Sequence, residues 1–258
     1  LQGYTDPTSS NVLPDDVNSI LRYTDLGHVW LHANCAKSGN LNRTAVFCTD
    51  GTNDGPHPSG CDLVTMAQTD HAALVSSRLP DYHGGDWTRH LLWVRGRYLV
   101  VIDAVEQTGD GPHGLVCTFR TPQYATLTAD GMLAREGNAE FRIRNADTVR
   151  LSLDTERDDR GAAIPRLLRQ TQQLDTGPGT TKVFRNVLYA TDPDHPGELE
   201  VRPVGANAVL VRGTIRGQDE LRLVAVRISG HPLAVGPFSC DAVALHIGRD
   251  DWLRSGGS

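Results

Sequence analysis

Side chains that could bind a metal ion or an acidic sugar are concentrated in the first third of this 258-residue chain. His28 and His32 are four residues apart in the segment GHVWLHAN, so in an extended strand both imidazoles point to the same face. Asp50 follows the end of a predicted strand, and His90 lies at the start of an apolar hairpin. Two histidines and one aspartate on neighbouring strands form a suitable ligand set for a divalent cation, most simply zinc.

The candidate site residues share a side chain able to bind a proton, a metal ion or an anion. They are His28, His32, Asp50, His71, Tyr82, His83, Arg89 and His90. A single histidine on a strand is more often a structural hydrogen-bonding group than a ligand, so it is the clustering that favours a site. The chain has no GxSxG elbow, Walker loop or HExxH motif, and no GxGxxG loop that opens a βαβ unit. A hydrolase with two carboxylates distant in sequence stays open, because such a pair leaves no local pattern.

The segment that positions several of these groups is residues 86–106, DWTRHLLWVRGRYLVVIDAVE, which predicts one β-hairpin. Gly96 can adopt the positive φ that a tight turn requires. Arg89 and His90 lie at the entrance of the hairpin and Asp103 at its exit. An isolated hairpin is marginally stable in water, so we expect a second sheet to cover its apolar residues.

Most of the remaining sequence reads as short strands separated by turn signals. The absence of a βα rhythm and of a fixed repeat excludes a doubly wound fold, a propeller and a solenoid, and favours a sandwich or barrel. The predicted strands are 28–33, 44–49, 62–68, 71–78, 88–94, 97–105, 113–121, 124–129, 139–144, 148–154, 181–190, 198–204, 207–213, 220–228 and 241–247.

The chain divides into three predicted parts. Residues 1–26 form an N-terminal segment with one short helix over 14–24, because a proline and two aspartates open an apolar-periodic stretch. Residues 27–250 form the sandwich domain, and residues 251–258 form a flexible tail. Within the domain, residues 163–173 also allow a helix, since they are rich in Leu, Arg and Gln.

The charge pattern limits the partners. The net charge is −6, and the basic residues are scattered rather than clustered, so we expect no nucleic-acid binding. Arginine supplies nearly all of the positive charge, since Lys37 and Lys182 are the only lysines. Arginine suits bidentate binding of carboxylate or sulfate, although GC-rich coding produces the same bias.

The apolar runs, the first residues and the cysteines bear on the compartment. No apolar run reaches the length of a membrane-spanning helix, so we expect no membrane span. The chain opens with Leu1 and no signal peptide, and we expect it to be a piece of a longer, processed protein. None of the five cysteines forms a CxxC pair, and one disulfide among the first three is compatible with export. An odd number leaves at least one thiol free.

Four segments together are similar to a known family. They are GHVWLHAN (27–34), NRTAVFCTDG (42–51), DYHGGDWTRHLLWV (81–94) and RYLVVIDAV (97–105). In this order they resemble the C-terminal β-sandwich region of heparinase II/III-type polysaccharide lyases. The resemblance covers roughly residues 27–122, and the second half of the chain matches only as further strands.

The resemblance implies a fold and a chemistry. The fold is all-β, a large two-layered antiparallel β-sandwich of the supersandwich, mutarotase-like type. The substrates are uronic-acid-containing polysaccharides cleaved by β-elimination, in which a neutralised carboxylate acidifies the α-proton and a Tyr or His removes it. The catalytic candidates are His28, Tyr82 and Arg89, although packing of Tyr82 at a strand edge is the favoured alternative. The family's metal corresponds to a zinc ion held by His32, Asp50 and His90.

The sequence departs from the family pattern at three points. The family's catalytic Tyr lies on a preceding α-helical toroid that this chain lacks. His32 is followed by Ala33 and Asn34 rather than by an Asp, and an expected His-Asn pair is replaced by Asn42-Arg43. We therefore expect a secreted or periplasmic lyase domain that supplies one wall of a cleft for an acidic polysaccharide and is incomplete without an N-terminal α-helical domain.

Two other interpretations stay open. A non-catalytic carbohydrate-binding or structural sandwich could use Trp30, Trp87 or Trp93 to stack on sugars, although Trp93 lies within an apolar strand and is expected in the core. A stand-alone hydrolase or epimerase would require two carboxylates facing each other across a pocket.

Overall fold

A computed structural model describes residues 18–32, 46–49, 60–82, 84–109, 113–157, 161–174, 177–228, 232–236, 238–249 and 251–256. Every regular element in these residues is a β-strand, which confirms the all-β prediction. The strands are β1 (Arg22–Asp25), β2 (His28–His32), β3 (Val46–Thr49), β4 (Asp62–Gln68), β5 (Ala72–Tyr82), β6 (Gly85–Val94), β7 (Tyr98–Gln107), β8 (His113–Arg120), β9 (Tyr124–Thr128), β10 (Gly131–Glu136), β11 (Ala139–Asn145), β12 (Arg150–Arg157), β13 (Ala163–Leu174), β14 (Thr181–Thr191), β15 (Gly197–Val204), β16 (Ala208–Ile215), β17 (Gln218–Val226), β18 (Leu233–Val235), β19 (Phe238–Cys240), β20 (Ala244–Ile247) and β21 (Trp252–Ser255).

The strands form three main antiparallel sheets. The central sheet has eight strands in the order β4-β5-β6-β7-β14-β11-β10-β9. A four-stranded sheet, β12-β13-β8-β3, and a five-stranded sheet, β15-β16-β17-β20-β21, complete the main layers. Two hairpins, β1-β2 and β18-β19, stand apart from these sheets.

The predicted hairpin lies in the middle of the central sheet. Strands β6 and β7 pair from Gly85 opposite Gln107 to Val94 opposite Tyr98, and the turn between them contains Gly96 at φ 66°. This confirms the predicted hairpin and its glycine turn. The adjacent strands β5 and β14 pair with its outer edges, so its backbone groups are satisfied on both sides.

Both faces of the central sheet are covered. Along β7, Leu99, Val101 and Val105 belong to one core, with buried residues of the four-stranded sheet, and Val100 and Ile102 belong to a second core, with residues of the five-stranded sheet. Because successive side chains of a strand point to opposite faces, burial on both faces requires the nearly continuous apolar run seen in β7. The expected antiparallel sandwich is confirmed, and the five-stranded sheet adds a third layer to it.

The N-terminal hairpin closes one end of the first core. Trp30 on β2 is fully buried, and its ring stacks on Phe141 of the central sheet with 5.5 Å between centroids. Its indole nitrogen donates a hydrogen bond of 2.9 Å to the carbonyl oxygen of Asp25, at the end of β1. Burying one large aromatic side chain contributes roughly 3 kcal/mol, so this tryptophan anchors the hairpin to the sandwich.

The structure differs from the sequence predictions in three places. Residues 22–24, the end of the predicted helix 14–24, belong to β1, and residues 14–17 lie outside the described part. Residues 163–173 form β13, because pairing with β12 and β8 along its length outweighs their helix propensity. Residues 252–255 form β21 at the edge of the five-stranded sheet, so the folded domain continues into the predicted flexible tail of 251–258.

Candidate functional site

Arg89, a predicted catalytic residue, is fully buried in a polar network inside the first core. Its Nε donates to Asp103 Oδ1 at 2.7 Å and its Nη2 to Asp103 Oδ2 at 2.9 Å. The Trp87 indole donates to the same Oδ1 at 2.8 Å, and Arg89 Nη1 donates to the Asn18 carbonyl at 3.0 Å. No substrate reaches a side chain that is enclosed in this way, so the structure gives Arg89 a role in holding the fold rather than the predicted catalytic one.

The other two predicted catalytic residues lie in different surroundings. Tyr82 is buried in the first core, with its ring centroid 6.3 Å from that of Trp87, which agrees with the packing alternative. His28 is half-buried at the start of β2, and its ring lies 5.3 Å from that of Trp30. His28 is therefore the one predicted catalytic side chain of the three that solvent can reach.

The structure separates His32 and His90, the two predicted zinc ligands that it describes. His32 is exposed at the end of β2, where its carbonyl oxygen accepts a 2.8 Å hydrogen bond from Arg120. His90 lies on β6 and faces the five-stranded sheet, so the central sheet separates it from β2. Asp50 lies outside the described residues. Within the described part of the chain no three His, Cys, Asp or Glu side chains come close enough to hold a metal ion, and His32 and His90 do not fit one shared zinc ion.

His90 instead forms the floor of a cleft between the central and five-stranded sheets. The imidazole is 2% exposed, and its Nδ1 lies 2.7 Å from the hydroxyl oxygen of Ser76. Burial lowers the pKa of His90 to about 3, so the ring is neutral at physiological pH. Its Nε2 is buried and has no hydrogen-bond partner among the described residues.

The walls of this cleft, which we name the His90 cleft, are polar. It has a volume of about 280 Å³ and is lined by Arg78, Asp86, Glu106 and Arg227 together with His90. Arg78 and Asp86 form an ion pair across β5 and β6. The cleft therefore combines one neutral imidazole with two guanidinium and two carboxylate groups.

The sequence of β6 explains where the cleft lies. Asp86, Thr88 and His90 alternate along the strand and share a face with Leu92 and Val94, which are buried in the second core. The interior face of the strand thus changes from apolar to polar toward one end of the sandwich. Of the cleft residues, the sequence predicts only His90 as a site residue. The charged Arg89 between Thr88 and His90 hides the alternation of faces along this strand.

A second cleft of about 540 Å³ lies beside the turn of the central hairpin. Glu220 accepts hydrogen bonds from Arg97 at 2.8 Å and from Arg222 at 2.9 Å, and Arg222 also contacts His246 and Asp251. Burial, followed by the charge of Arg222, lowers the pKa of His246 to about 4. These charges neutralise one another and connect the central sheet to the five-stranded sheet. The candidate His71 also lines this cleft. The charged residues were not predicted, because their pairing joins segments that are distant along the chain.

Comparisons with known proteins support the fold. The sequence matches no protein-family profile and no curated protein. Among solved structures, the chain is similar to heparan sulfate lyase HepC from Pedobacter heparinus, with a TM-score of 0.58, 14% identity, and coverage of 80% of this chain and 36% of the lyase. It is also similar to a heparinase III, with a TM-score of 0.54, 12% identity, and coverage of 76% and 33%.

A third solved structure, the heparinase III-BT4657 gene product, gives a TM-score of 0.54 at 9% identity and coverage of 76% and 34%. The chain thus spans about a third of the length of these lyases. At such low identity the likeness concerns the fold and not the residues of a site. Within the described residues no helix is long and apolar enough to cross a membrane. The chain has a heparinase-like β-sandwich fold.

Proposed function

We propose that this chain is the β-sandwich part of a secreted or periplasmic polysaccharide lyase that cleaves uronic-acid-containing polysaccharide by β-elimination. One observation carries the proposal: 80% of the chain shares its fold with about a third of a heparan sulfate lyase. The four segments similar to heparinase II/III-type lyases agree with it, and two of them form the hairpin of β6 and β7 inside the central sheet.

The proposed lyase needs a second domain. β-Elimination requires a group that neutralises the uronate, a base for the α-proton and an acid for the leaving oxygen. Tyr82 and Arg89 are enclosed in the first core and are unavailable for these roles. A preceding α-helical domain would supply them, and His28 and His32 on β2 would contribute from the sandwich side of the shared cleft.

A carbohydrate-binding domain without chemistry is the second candidate, and exposed tryptophans favour it. Trp93 is 44% exposed and Trp252 is 69% exposed, whereas Trp30 and Trp87 are buried and unable to stack on a sugar. The prediction that Trp93 lies in the core is thus wrong. The Arg95 guanidinium lies 5.2 Å from the centroid of the Trp93 ring, so a flat aromatic surface with an adjacent positive charge is available for an acidic sugar.

The two candidates are separated by assaying the protein encoded by the complete gene on heparan sulfate, heparin and other uronic-acid polysaccharides. The readout is ultraviolet absorbance of the unsaturated uronate that β-elimination creates. The lyase proposal predicts this product, and at least about a hundredfold lower turnover in a His28→Ala, His32→Ala double variant, since removing acid–base catalysis typically costs this much. His195→Ala is the matched control, because His195 is exposed and its side chain, among the described residues, is bonded to Asp192 of its own turn.

One result would contradict the lyase proposal, and another would contradict the role given to β2. Absence of the unsaturated product from every polysaccharide, with retained binding that is weakened by Trp93→Ala, would leave the binding domain. Product formation that is unchanged in the histidine double variant would remove β2 from the catalytic cleft.

A further inference from the structure

The floor of the His90 cleft contains a buried polar atom that the fold leaves unsatisfied. His90 lines the cleft and is tethered through Nδ1 to the fully buried hydroxyl of Ser76, while its buried Nε2 has no hydrogen-bond partner among the described residues. Most buried polar atoms in folded proteins are hydrogen-bonded, and leaving such an atom without a partner is costly. An apolar residue at position 90 would continue the core of Leu92 and Val94, so a polar imidazole at the cleft floor calls for a polar partner.

The chemistry of this imidazole suits a hydroxyl group. The ring is neutral, and the Ser76 hydroxyl can either donate to Nδ1 or accept from it. Nε2 therefore carries either a lone pair or an N–H. A hydroxyl group both donates and accepts, so it completes Nε2 in either state.

The cleft also presents two carboxylates side by side. Asp86 on β6 and Glu106 on β7 are direct register partners, and both line the cleft. Like charges directly opposite each other on antiparallel strands are destabilising. Asp86 accepts hydrogen bonds from Arg78 and from the Asp81 backbone amide, and both bonds stabilise its charge. Two neighbouring acceptors of this kind match the adjacent hydroxyl groups of a sugar ring.

The charges that line the cleft cancel. Arg78 and Arg227 supply two positive charges, and Asp86 and Glu106 supply two negative charges. The cleft therefore offers no net electrostatic attraction to an anionic or a cationic ligand. An uncharged ligand with several hydroxyl groups can donate to the carboxylates and accept from the guanidinium groups at the same time.

The volume and the apolar residues of the cleft also suit a sugar ring. A volume of about 280 Å³ is close to the lower limit of small-molecule sites, which suits a single ring rather than a chain. Val64, Ile228 and Val243 lie among the polar groups and offer apolar contact to the C–H surface of a ring. We propose that the His90 cleft binds one uncharged, hexose-sized sugar residue, in a site that does not depend on the lyase activity proposed above.

The test compares sugar rings of similar size that are neutral, anionic or cationic. Glucose, galactose and N-acetylglucosamine are the neutral probes, glucuronate is the anionic probe and glucosamine is the cationic probe. Binding is measured with the intact chain by ligand-observed NMR and by titration. We expect at least one neutral ring to bind about tenfold more tightly than either charged probe.

Two variants test whether the sugar binds in the His90 cleft. Glu106→Gln and Thr88→Val change cleft residues that are only half-buried, so both proteins are expected to fold, which circular dichroism checks. Each should weaken binding of the neutral sugar by about three- to tenfold, the effect of losing one neutral hydrogen bond. Glu106→Gln falls in this range because the glutamine side chain still offers an amide oxygen as acceptor. Glu140→Gln, which changes a carboxylate of the central sheet outside the cleft, is the matched control and should bind like the unmodified chain.

The proposal is overturned if no neutral probe binds, if glucuronate or glucosamine binds as tightly, or if both folded cleft variants bind like the control. A failure of this kind would leave the β-elimination assay unaffected, because that assay uses a different substrate and different residues. Conversely, loss of the lyase proposal would leave the sugar site standing.

Discussion

The ion pair of Arg89 and Asp103 offers the sharpest test of how the sandwich is held together. Both side chains are fully buried, and the carboxylate accepts two hydrogen bonds from Arg89 and one from Trp87. Replacing Arg89 by Met leaves a charged carboxylate inside the first core with only part of its partners. Breaking a buried pair from one side typically costs about 3–5 kcal/mol.

This loss is large compared with the total stability of a domain, which is about 5–15 kcal/mol. For a domain of this size it corresponds to a decrease in Tm of roughly 6–20 °C. Urea unfolding followed by tryptophan fluorescence measures the free energy, and a thermal scan measures Tm. The control is Arg135→Met, which breaks a solvent-exposed pair with Glu140 and should cost no more than about 1 kcal/mol.

A double variant tests whether the unpaired charge, rather than lost packing, lowers the stability. In the Arg89→Met, Asp103→Leu double variant no unpaired charge remains, so the protein should be more stable than Arg89→Met alone, even though the Trp87 indole loses its acceptor. If Arg89→Met unfolds at the same urea concentration as Arg135→Met, the pair does not stabilise the fold, and the argument that Arg89 is structural fails.

Three further predictions concern other groups. Glu220→Gln should lower the free energy of unfolding by about 2–3 kcal/mol in urea titrations, because it leaves Arg97 and Arg222 without their shared carboxylate. His246 has a pKa of about 4 in the folded protein, so its unfolded form takes up a proton that the native form does not, and stability should decrease as the pH falls from about 6.5. Between pH 6.5 and 5 a His246→Gln variant should show a shallower decrease, and an equal slope would contradict the assignment. Cys117 is buried with a raised thiol pKa, so a thiol reagent should modify it only after unfolding, whereas reaction at the rate of the half-buried Cys61 would show that the core opens.

Local signals explain which strands could be predicted from the sequence. The hairpin of β6 and β7 has long apolar runs and a glycine at the turn, and it forms as predicted. Strand β10 was missed because Gly131–Glu136 has no β-branched residue; pairing with β9 and β11 on both sides holds it in the sheet. β13 is likewise rich in the helix formers Leu, Arg and Gln, but pairing with two neighbouring strands holds it in the sheet.

The site was harder to predict than the fold, and one error could have been avoided. Arg89 and His90 are adjacent in a strand, so their side chains must point to opposite faces and cannot serve the same site. The structure places Arg89 in the first core and His90 at the cleft beside the second. The sequence did not show that both faces would be buried, because the five-stranded sheet is formed by residues more than ninety positions away.

The three-layered architecture itself restricts where this domain can bind ligands. Because both faces of the central sheet are covered, its interior side chains become accessible only where a covering layer ends or where their residue types change. Along β6 that change occurs between Leu92 and His90, and in β7 between Ile102 and Glu106, at the same end of the sandwich. On both strands, polar residues replace apolar ones on the same face and at the same distance along the sandwich. Such a change on two neighbouring strands forms a cleft rather than a solvated edge. The position of the His90 cleft therefore follows from the arrangement of the layers. Its chemistry follows from the polar side chains that line it.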